Sequence, residues 1–537
     1  MKYDLVIIGS GIAATALSHK VLEKNKNASI LMLEAGQKVK MQDAALWQDY
    51  IVSGKLPYSK FNDQAYPERD IPGQNQNIGA TVVPLAGSRV MTYGGSTIHW
   101  GGWSFRLKPE DFLMKTNTNT SIDWPIDYET LEPYYGQAEH YIGVSGDSKN
   151  LNPPRSTPYP FPAFPFTFED SSIASAIKSL NMDFSNVPIA RHGILSSSTF
   201  NAPCKTTGTC KYCPFGARYA ATNFLNHMSD EKDYPNLEIR INSIVNTIDM
   251  DTKQRAKGVT YFDKTTKKTM SVSAKIVIVA GGAIESPKLL QRSTSDFWIN
   301  GIGNDEGNVG RYFVTHPYFI FSANIAENKS LKQPEMNFPT LCSRHYDNEF
   351  EQKKGKFILI HPPSSPQIDI ATLMKNGNTR EEIEESIRGS NTVQIHGMVE
   401  IFSEYKNNIT NLPGAKNQIG LPQTIVDYSQ SPEFNDRMTY IQSKVEEIFK
   451  KMDAKIQGKP TISWRADHSA CTCRMSEDPK KGVTDKNMKI HGVDNIYVCS
   501  NAAFTSTGAI NPTLTLTALS LRLGDHINTQ LEALDHE

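Results

Sequence analysis

The 537-residue chain has no run approaching the ~18 consecutive apolar residues that a membrane-spanning helix needs, so no bilayer-spanning segment is expected in it. It also lacks an excess of either charge. Lys and Arg number 56 against 57 Asp and Glu, a formal net charge of −1 with no basic stripe, which argues against nucleic acid as a main partner. Cysteine is scarce and odd in number, seven in all, and three of the seven crowd into residues 204–213. A regular disulfide framework would look different; reduced thiols serving as ligands fit better. No fixed-period repeat is visible. At ~100–200 residues per domain, the length implies two or three units, not necessarily continuous in sequence. The apolar stretch that opens the chain is too short for a signal peptide and runs directly into Gly9, so it reads as a first β-strand. The expectation is a protein that folds in the cytoplasm, or leaves it already folded on another protein.

What is present begins with four short β-branched runs: Val6 to Ile8, Ile30 to Leu33, Ile276 to Val279 and Ile496 to Val498. Each is closed by glycine or a small-residue turn, the pattern of buried strands in an α/β layer. They are spread over the whole chain, so one nucleotide-binding domain would be assembled from separated pieces. Leu151 to Phe166 is too rich in proline and aromatics for regular helix or central strand and reads as a connection between domains. Residues 311–450 mix short alternating runs with an acidic helical patch, Arg380 to Ile387, and predict a domain of antiparallel sheet plus helices that contacts substrate.

Gly9-Ser10-Gly11-Ile12-Ala13-Ala14 follows the first strand and opens a helix running to about Glu23. Gly9 permits the tight turn, Gly11 lets backbone approach a pyrophosphate, and Ala14 is small enough for close helix–strand packing. The free N–H groups and positive dipole at that helix start favour two phosphates. Glu34 ends the next strand, placed to accept hydrogen bonds from an adenosine ribose. This fingerprint does not by itself separate FAD from NAD.

Further motifs do. Gly94-Gly95-Ser96-Thr97-Ile98-His99-Trp100-Gly101-Gly102, Asp123-Trp124-Pro125-Ile126, Ala280-Gly281-Gly282 through Leu290, Val309-Gly310-Arg311 with His316-Pro317, His468 with Arg474-Met475, and Asn511-Pro512-Thr513-Leu514-Thr515 occur in one order. With them the chain resembles the glucose–methanol–choline (GMC) oxidoreductases nearly end to end, most of all pyranose oxidases and the large subunits of bacterial sugar and gluconate dehydrogenases. The resemblance implies FAD and an α/β fold: a Rossmann-like FAD-binding domain from discontinuous segments (1–120, 191–310 and 451–537), plus an α+β substrate domain with an antiparallel sheet (311–450, with a segment and connection over 121–190). The loop from Arg89 to Gly102 carries four glycines and a Ser/Thr pair, so its backbone can lie against a flat ring. The resemblance puts Gly94, Gly95, Ser96, Ala280, Asn501, Ala502, Pro512 and Thr513 at the cofactor. It also puts His99 where pyranose oxidases attach the flavin covalently; the alternative is a histidine packed beside Trp100. The segment from Ala280 reads as a strand ending in Gly-Gly, then a helix with Pro287 near its first turn, holding the nucleotide half of FAD.

Oxidising an alcohol to a carbonyl needs the O–H proton removed while hydride leaves the same carbon for flavin N5. A neutral imidazole, with an ordinary pKa of ~6.5, suits that proton near neutral pH. The resemblance makes His468 the base and Asn511 its partner on the substrate oxygen. The apolar segment Thr513 to Leu523 reads as a helix whose positive end faces the flavin's pyrimidine ring. Cys471 and Cys473 stand where small or polar residues are expected, which puts the fit of substrate in doubt. Cys204, Cys210 and Cys213, with Pro214 after the last, have the character of an iron–sulfur loop, and a [3Fe-4S] cluster is expected. Zinc is the rival, with His192 or His227 as a fourth ligand; the third option is a structural group of reduced thiols.

The expected function is an FAD dehydrogenase that oxidises a hydroxyl of a sugar, glycoside or sugar acid. Electrons would pass through the cluster to a cytochrome or quinone, beside a small partner subunit that could carry an export signal to the periplasm. A pyranose-oxidase-like enzyme making hydrogen peroxide, a family member with lyase-type chemistry, and a non-enzymatic flavin-binding protein are the alternatives.

Overall fold

A computed structural model describes residues 2–53, 75–86, 88, 90–194, 201–210, 212–230, 234–325, 336, 338–347, 356–362, 370–388, 392–417 and 420–535. All four β-branched runs lie in one seven-stranded sheet. Lys2–Ile8 sits at its centre, parallel to Ile30–Leu33 on one side and to Lys268–Val279 on the other, with Leu5 opposite Ile276 and Ile8 opposite Val279. Leu237–Arg240 extends the parallel set beyond Ile30–Leu33, and Ile496–Val498 pairs with the end of Lys268–Val279. Strands covered on both faces need unbroken apolar runs rather than alternation, and Ile276 to Val279 is buried at every position. The same twelve-residue strand begins differently. Its first half is exposed and pairs antiparallel with Ala256–Asp263, which pairs in turn with Ser243–Met250. That antiparallel extension is not part of the sequence-based expectation.

Two helices cover one face of this sheet and pack on each other: Ile12–Lys24, which follows the glycine turn, and Thr513–Asp535. Helix Tyr128–Ile142 packs against the second of these. A second seven-stranded sheet, antiparallel throughout, contains Pro317–Asn324, Thr392–Val399, Phe357–His361 and Leu341–Ser343, as the alternating runs in 311–450 predict. The acidic patch is helix Arg380–Arg388. Lys455–Ile456 and Thr461–Trp464 continue this sheet past residue 450. The connection 151–166 carries only the two-residue strand Phe161–Pro162. Among the described residues, no helix is long and apolar enough to cross a membrane.

Helix Gly282–Arg292 carries Pro287 in its interior rather than its first turn. Proline has no N–H, so the carbonyl of Ala283, four residues earlier, loses its helical donor. The Thr472 hydroxyl takes that place, donating to the Ala283 oxygen at 2.6 Å. One side chain thus ties the nucleotide-side helix to the segment that follows His468. Thr472→Val keeps the shape and removes the donor; it is expected to lower stability by about 1–3 kcal/mol, the cost of a buried polar group left unpaired. Denaturant unfolding with an unchanged m-value would register it.

Candidate active site

The carboxyl ends of the parallel strands open onto a cavity of about 730 Å³, within the ~300–1,000 Å³ typical of cofactor and substrate sites. Ile8, Leu33 and Val279 are the strand ends in its wall. Gly9 turns the first strand into its helix with φ +105°, a conformation that side chains rarely adopt, and a Cβ there would lie 2.8 Å from the Ala280 oxygen. A Cβ on Gly11 would meet nothing within 4 Å: its backbone borders open space at a helix N-terminus.

Glu34 is buried in the wall, where it receives the Ser10 N–H at 3.0 Å, the Ser10 hydroxyl at 2.7 Å and the Gly36 N–H at 2.9 Å. Burial pushes its pKa up against the pull of those donors. Ser10 also accepts the Gly94 N–H at 3.0 Å, so one hydroxyl clamps the glycine-rich loop to the fingerprint. Thr97 extends the clamp, donating to the Gly94 oxygen and accepting from Ala221. Gly95, Ser96, His99, Ala280, Asn501, Pro512 and Thr513 border the cavity. Ala14, Gly94 and Ala502 stand behind its wall. Ala14 is a fully buried helix residue, Gly94 faces Thr222, and the Ala502 carbonyl accepts from Cys473 N. Arg89 lies outside the described residues.

At the other end of the cavity, His468 and Asn511 meet across 43 residues of sequence. Asn511 Nδ2 lies 3.1 Å from His468 Nε2, while its Oδ1 is buried with no protein partner among the described residues. On the far side of the ring, His468 Nδ1 lies 3.0 Å from Nδ1 of His316, whose Nε2 is 2.8 Å from the Gly508 carbonyl. These contacts fix where the protons sit. A carbonyl only accepts, so His316 carries its proton on Nε2 and presents Nδ1 as a lone pair. His468 must then be the donor at Nδ1, which leaves Nε2 unprotonated, towards Asn511 and the cavity. Burial lowers the His316 pKa to about 4, and burial with the neighbouring His316 and Arg465 drives His468 well below the ordinary imidazole value. Both rings are therefore neutral near pH 7. An unprotonated Nε2 beside an amide N–H can take a proton from a hydroxyl whose oxygen the amide holds.

The sequence places His316 only within a family motif, with no role. Strand parity could have found it: His316 and Tyr318 are two apart at the start of Pro317–Asn324, and both face the cavity.

The cysteines depart from expectation. Among the described residues, no group of three or more His, Cys, Asp or Glu side chains is placed to hold a metal ion. Cys210 Sγ accepts from the Arg191 guanidinium at 3.0 Å, and Cys213 Sγ accepts from the Ala217 N–H at 3.4 Å. Each sulfur is thus satisfied separately, and Cys204 does not join them around a common centre. His192 stacks on Phe161 at 4.1 Å, and His227 belongs to helix Ala221–Asp230. Neither a [3Fe-4S] cluster nor zinc fits these residues as placed. Cys471 and Cys473 are 0 % exposed and line no part of the cavity; burial raises both thiols.

Models of GMC oxidoreductases match residues 193–318 and 405–520. The chain belongs to the GMC oxidoreductase family. It is 26 % identical to the fructose dehydrogenase large subunit of Gluconobacter japonicus, over 98 % of each chain. It is also 26 % identical to the 6'''-hydroxyparomomycin C oxidase of Streptomyces lividus, over 99 % of this chain and 92 % of that one. The fold is that of an Aspergillus oryzae formate oxidase, with a TM-score of 0.66 at 15 % identity over 99 % of both chains. As a GMC oxidoreductase the protein acts on CH–OH groups and uses FAD. The cavity fits that cofactor: open space over Gly11, a helix N-terminus at the strand ends, and buried, unpartnered oxygens of Asn501 and Asn511.

Two outcomes follow. A base whose pKa is depressed stays neutral and competent as the medium becomes acidic, so substrate-driven flavin reduction should show no acid limb near pH 6.5; its loss should begin well below. His316→Phe removes the acceptor that holds the His468 proton on Nδ1, and is expected to lower the reduction rate at least ~10-fold with substrate affinity little changed. Anaerobic stopped-flow at several pH values tests both.

Proposed function

We propose that the protein oxidises a hydroxyl of a sugar, glycoside or sugar acid to a carbonyl, with His468 as the base and Asn511 as the group that holds the reacting oxygen. The observation that carries this reading is the row of contacts Gly508–His316–His468–Asn511, whose hydrogen-bond logic leaves one imidazole nitrogen unprotonated beside Asn511. The full-length similarity to a fructose dehydrogenase subunit supports the sugar class. FAD, when bound, supplies the acceptor for the hydride. Gly9, Gly11 and Glu34 would hold its nucleotide half, while Gly95, Ser96, Pro512 and Thr513 would border the ring system.

The chain's own part is proton handling. A substrate hydroxyl displaces the Asn511 amide from His468 Nε2, and Asn511 Nδ2 donates to the same oxygen. As the proton passes to Nε2, the ring becomes a cation whose Nδ1–H already points at the His316 lone pair. Its charge forms opposite an acceptor set in place beforehand.

His99 borders the cavity, and we extend the proposal to a covalent bond between it and the flavin. A C–N bond would replace an imidazole N–H and a flavin C–H, and the two electrons released would be left on the flavin, to leave by its ordinary reoxidation. Intact mass under denaturing conditions should then exceed the chain's by one flavin; the bare chain mass would reject the bond.

That the fructose dehydrogenase relative is a large subunit supports a smaller partner subunit; an external cytochrome or quinone as electron acceptor is part of the proposal. No step is routed through the cysteine loop, because its thiols do not converge. The oxidase relative favours a second reading, direct reduction of O₂ to hydrogen peroxide. Stoichiometric peroxide with a sugar would select it. His468→Ala should cut turnover at least ~10²-fold while FAD content is retained; a variant with near-normal flavin reduction would remove His468 from the role.

A further inference from the structure

Two residues beyond His316, in the strand Pro317–Asn324 that follows it, Tyr318 also faces the cavity. Its cross-strand neighbours are Met398, likewise in the wall, and Ser463. Behind the phenol runs a chain of polar groups. Tyr318 Oη lies 2.7 Å from His396 Nδ1, and His396 Nε2 lies 3.0 Å from Gln394 Oε1. Gln394 donates its amide N–H to Ser322 Oγ at 3.2 Å, which turns its carbonyl oxygen to the imidazole. An amide oxygen only accepts, so His396 carries its proton on Nε2. Burial holds that ring neutral, its pKa lowered to about 4. Nδ1 is therefore a lone pair, and the Tyr318 O–H must donate to it. Every proton in the row is thereby committed within it, and the oxygen of this cavity-lining tyrosine is left able only to accept.

We propose that Tyr318 is a specificity-determining residue: its oxygen accepts a hydrogen bond from a second hydroxyl of the substrate, and the site thereby selects polyhydroxy compounds over monohydric alcohols. His396 and Gln394 are positioning residues that keep the phenol in its accepting state. A monohydric alcohol offers nothing to that acceptor and leaves it unpaired on closure, whereas a sugar bound through its reacting carbon has a further O–H within the same ring. The inference rests on the sugar-class reading and deepens it.

The test uses the FAD-loaded protein in anaerobic flavin bleaching and steady-state assays with fructose, glucose, gluconate and glycerol, against n-butanol. Tyr318→Phe keeps the ring and removes the oxygen. It should raise KM for the best polyol about tenfold, one hydrogen bond's worth, with kcat within a few-fold, while KM for n-butanol does not rise and falls if the unpaired acceptor had been penalising it. His396→Phe, which frees the phenol to turn its proton inward, should produce the same loss with the same sparing of n-butanol; it carries the test alone should Tyr318→Phe fail to retain FAD. A polyol KM that moves less than twofold in these variants, or an equal rise for polyol and n-butanol, overturns the inference while leaving the sugar reading intact. Unmutated protein that bleaches with none of the polyols overturns the sugar reading, and this inference with it.

Discussion

The hydrogen bond between His316 and His468 is the contact on which the proposed chemistry depends, because two imidazoles facing each other nitrogen to nitrogen cannot both donate or both accept. The Gly508 carbonyl breaks that symmetry. It acts on the His468 ring without touching it, and it comes from the same loop that delivers Asn511 three residues later. Both partners of His468 are therefore fixed through one short stretch of chain. A shift of that loop would disturb the tautomer and the amide together.

The two sheets supply the parts separately. Parallel strands end at the cavity with backbone N–H groups, glycines and a buried carboxylate, which suit a dinucleotide. Antiparallel strands end there with side chains: His316 and Tyr318 at the start of one strand, Met398 near the end of the next, His468 just beyond a third. Thr472 crosses between the two systems by supplying the donor that Pro287 withholds from Ala283. Nucleotide grip and proton chemistry are thus held in register by a hydroxyl that answers a defect in a helix.

Much of this was legible in the sequence. Unbroken β-branched runs can be read as strands covered on both faces, and Ile276 to Val279 is one, because burial of both faces is itself what demands such a run. The glycine turn and Glu34 lie where local patterning puts them, at strand ends. The exposed start of Lys268–Val279 was not legible, since a half-solvated antiparallel extension leaves weaker periodicity. The cysteine loop was less legible, for a different reason. Spacing reports how far apart sulfurs can be along the chain, whereas whether they converge depends on Arg191 and the Ala217 N–H, which arrive from tertiary structure and local turn geometry. Local parity could place His316 beside the cavity, but its role was hidden, because a tautomer is a property of a hydrogen-bond chain spanning residues 316, 468 and 508 and no local pattern encodes it.

Lowered basicity looks at first like a handicap for a residue proposed to take a proton. Burial makes the neutral His468 more comfortable than its cation, so it gives no early pull on an alcohol proton. Proton transfer is then favourable only as hydride departs and the substrate oxygen becomes that of a carbonyl. The same burial strengthens whatever stabilises the cation once it forms. The Nδ1–H···Nδ1 contact is an ordinary neutral hydrogen bond in the resting site and a charge-assisted one, roughly twice as strong, when Nε2 is protonated. The His316 lone pair therefore binds the transition state more tightly than the ground state, which is the only kind of interaction that accelerates a chemical step. A more basic, solvent-facing histidine would be easier to protonate at rest and would lose that difference.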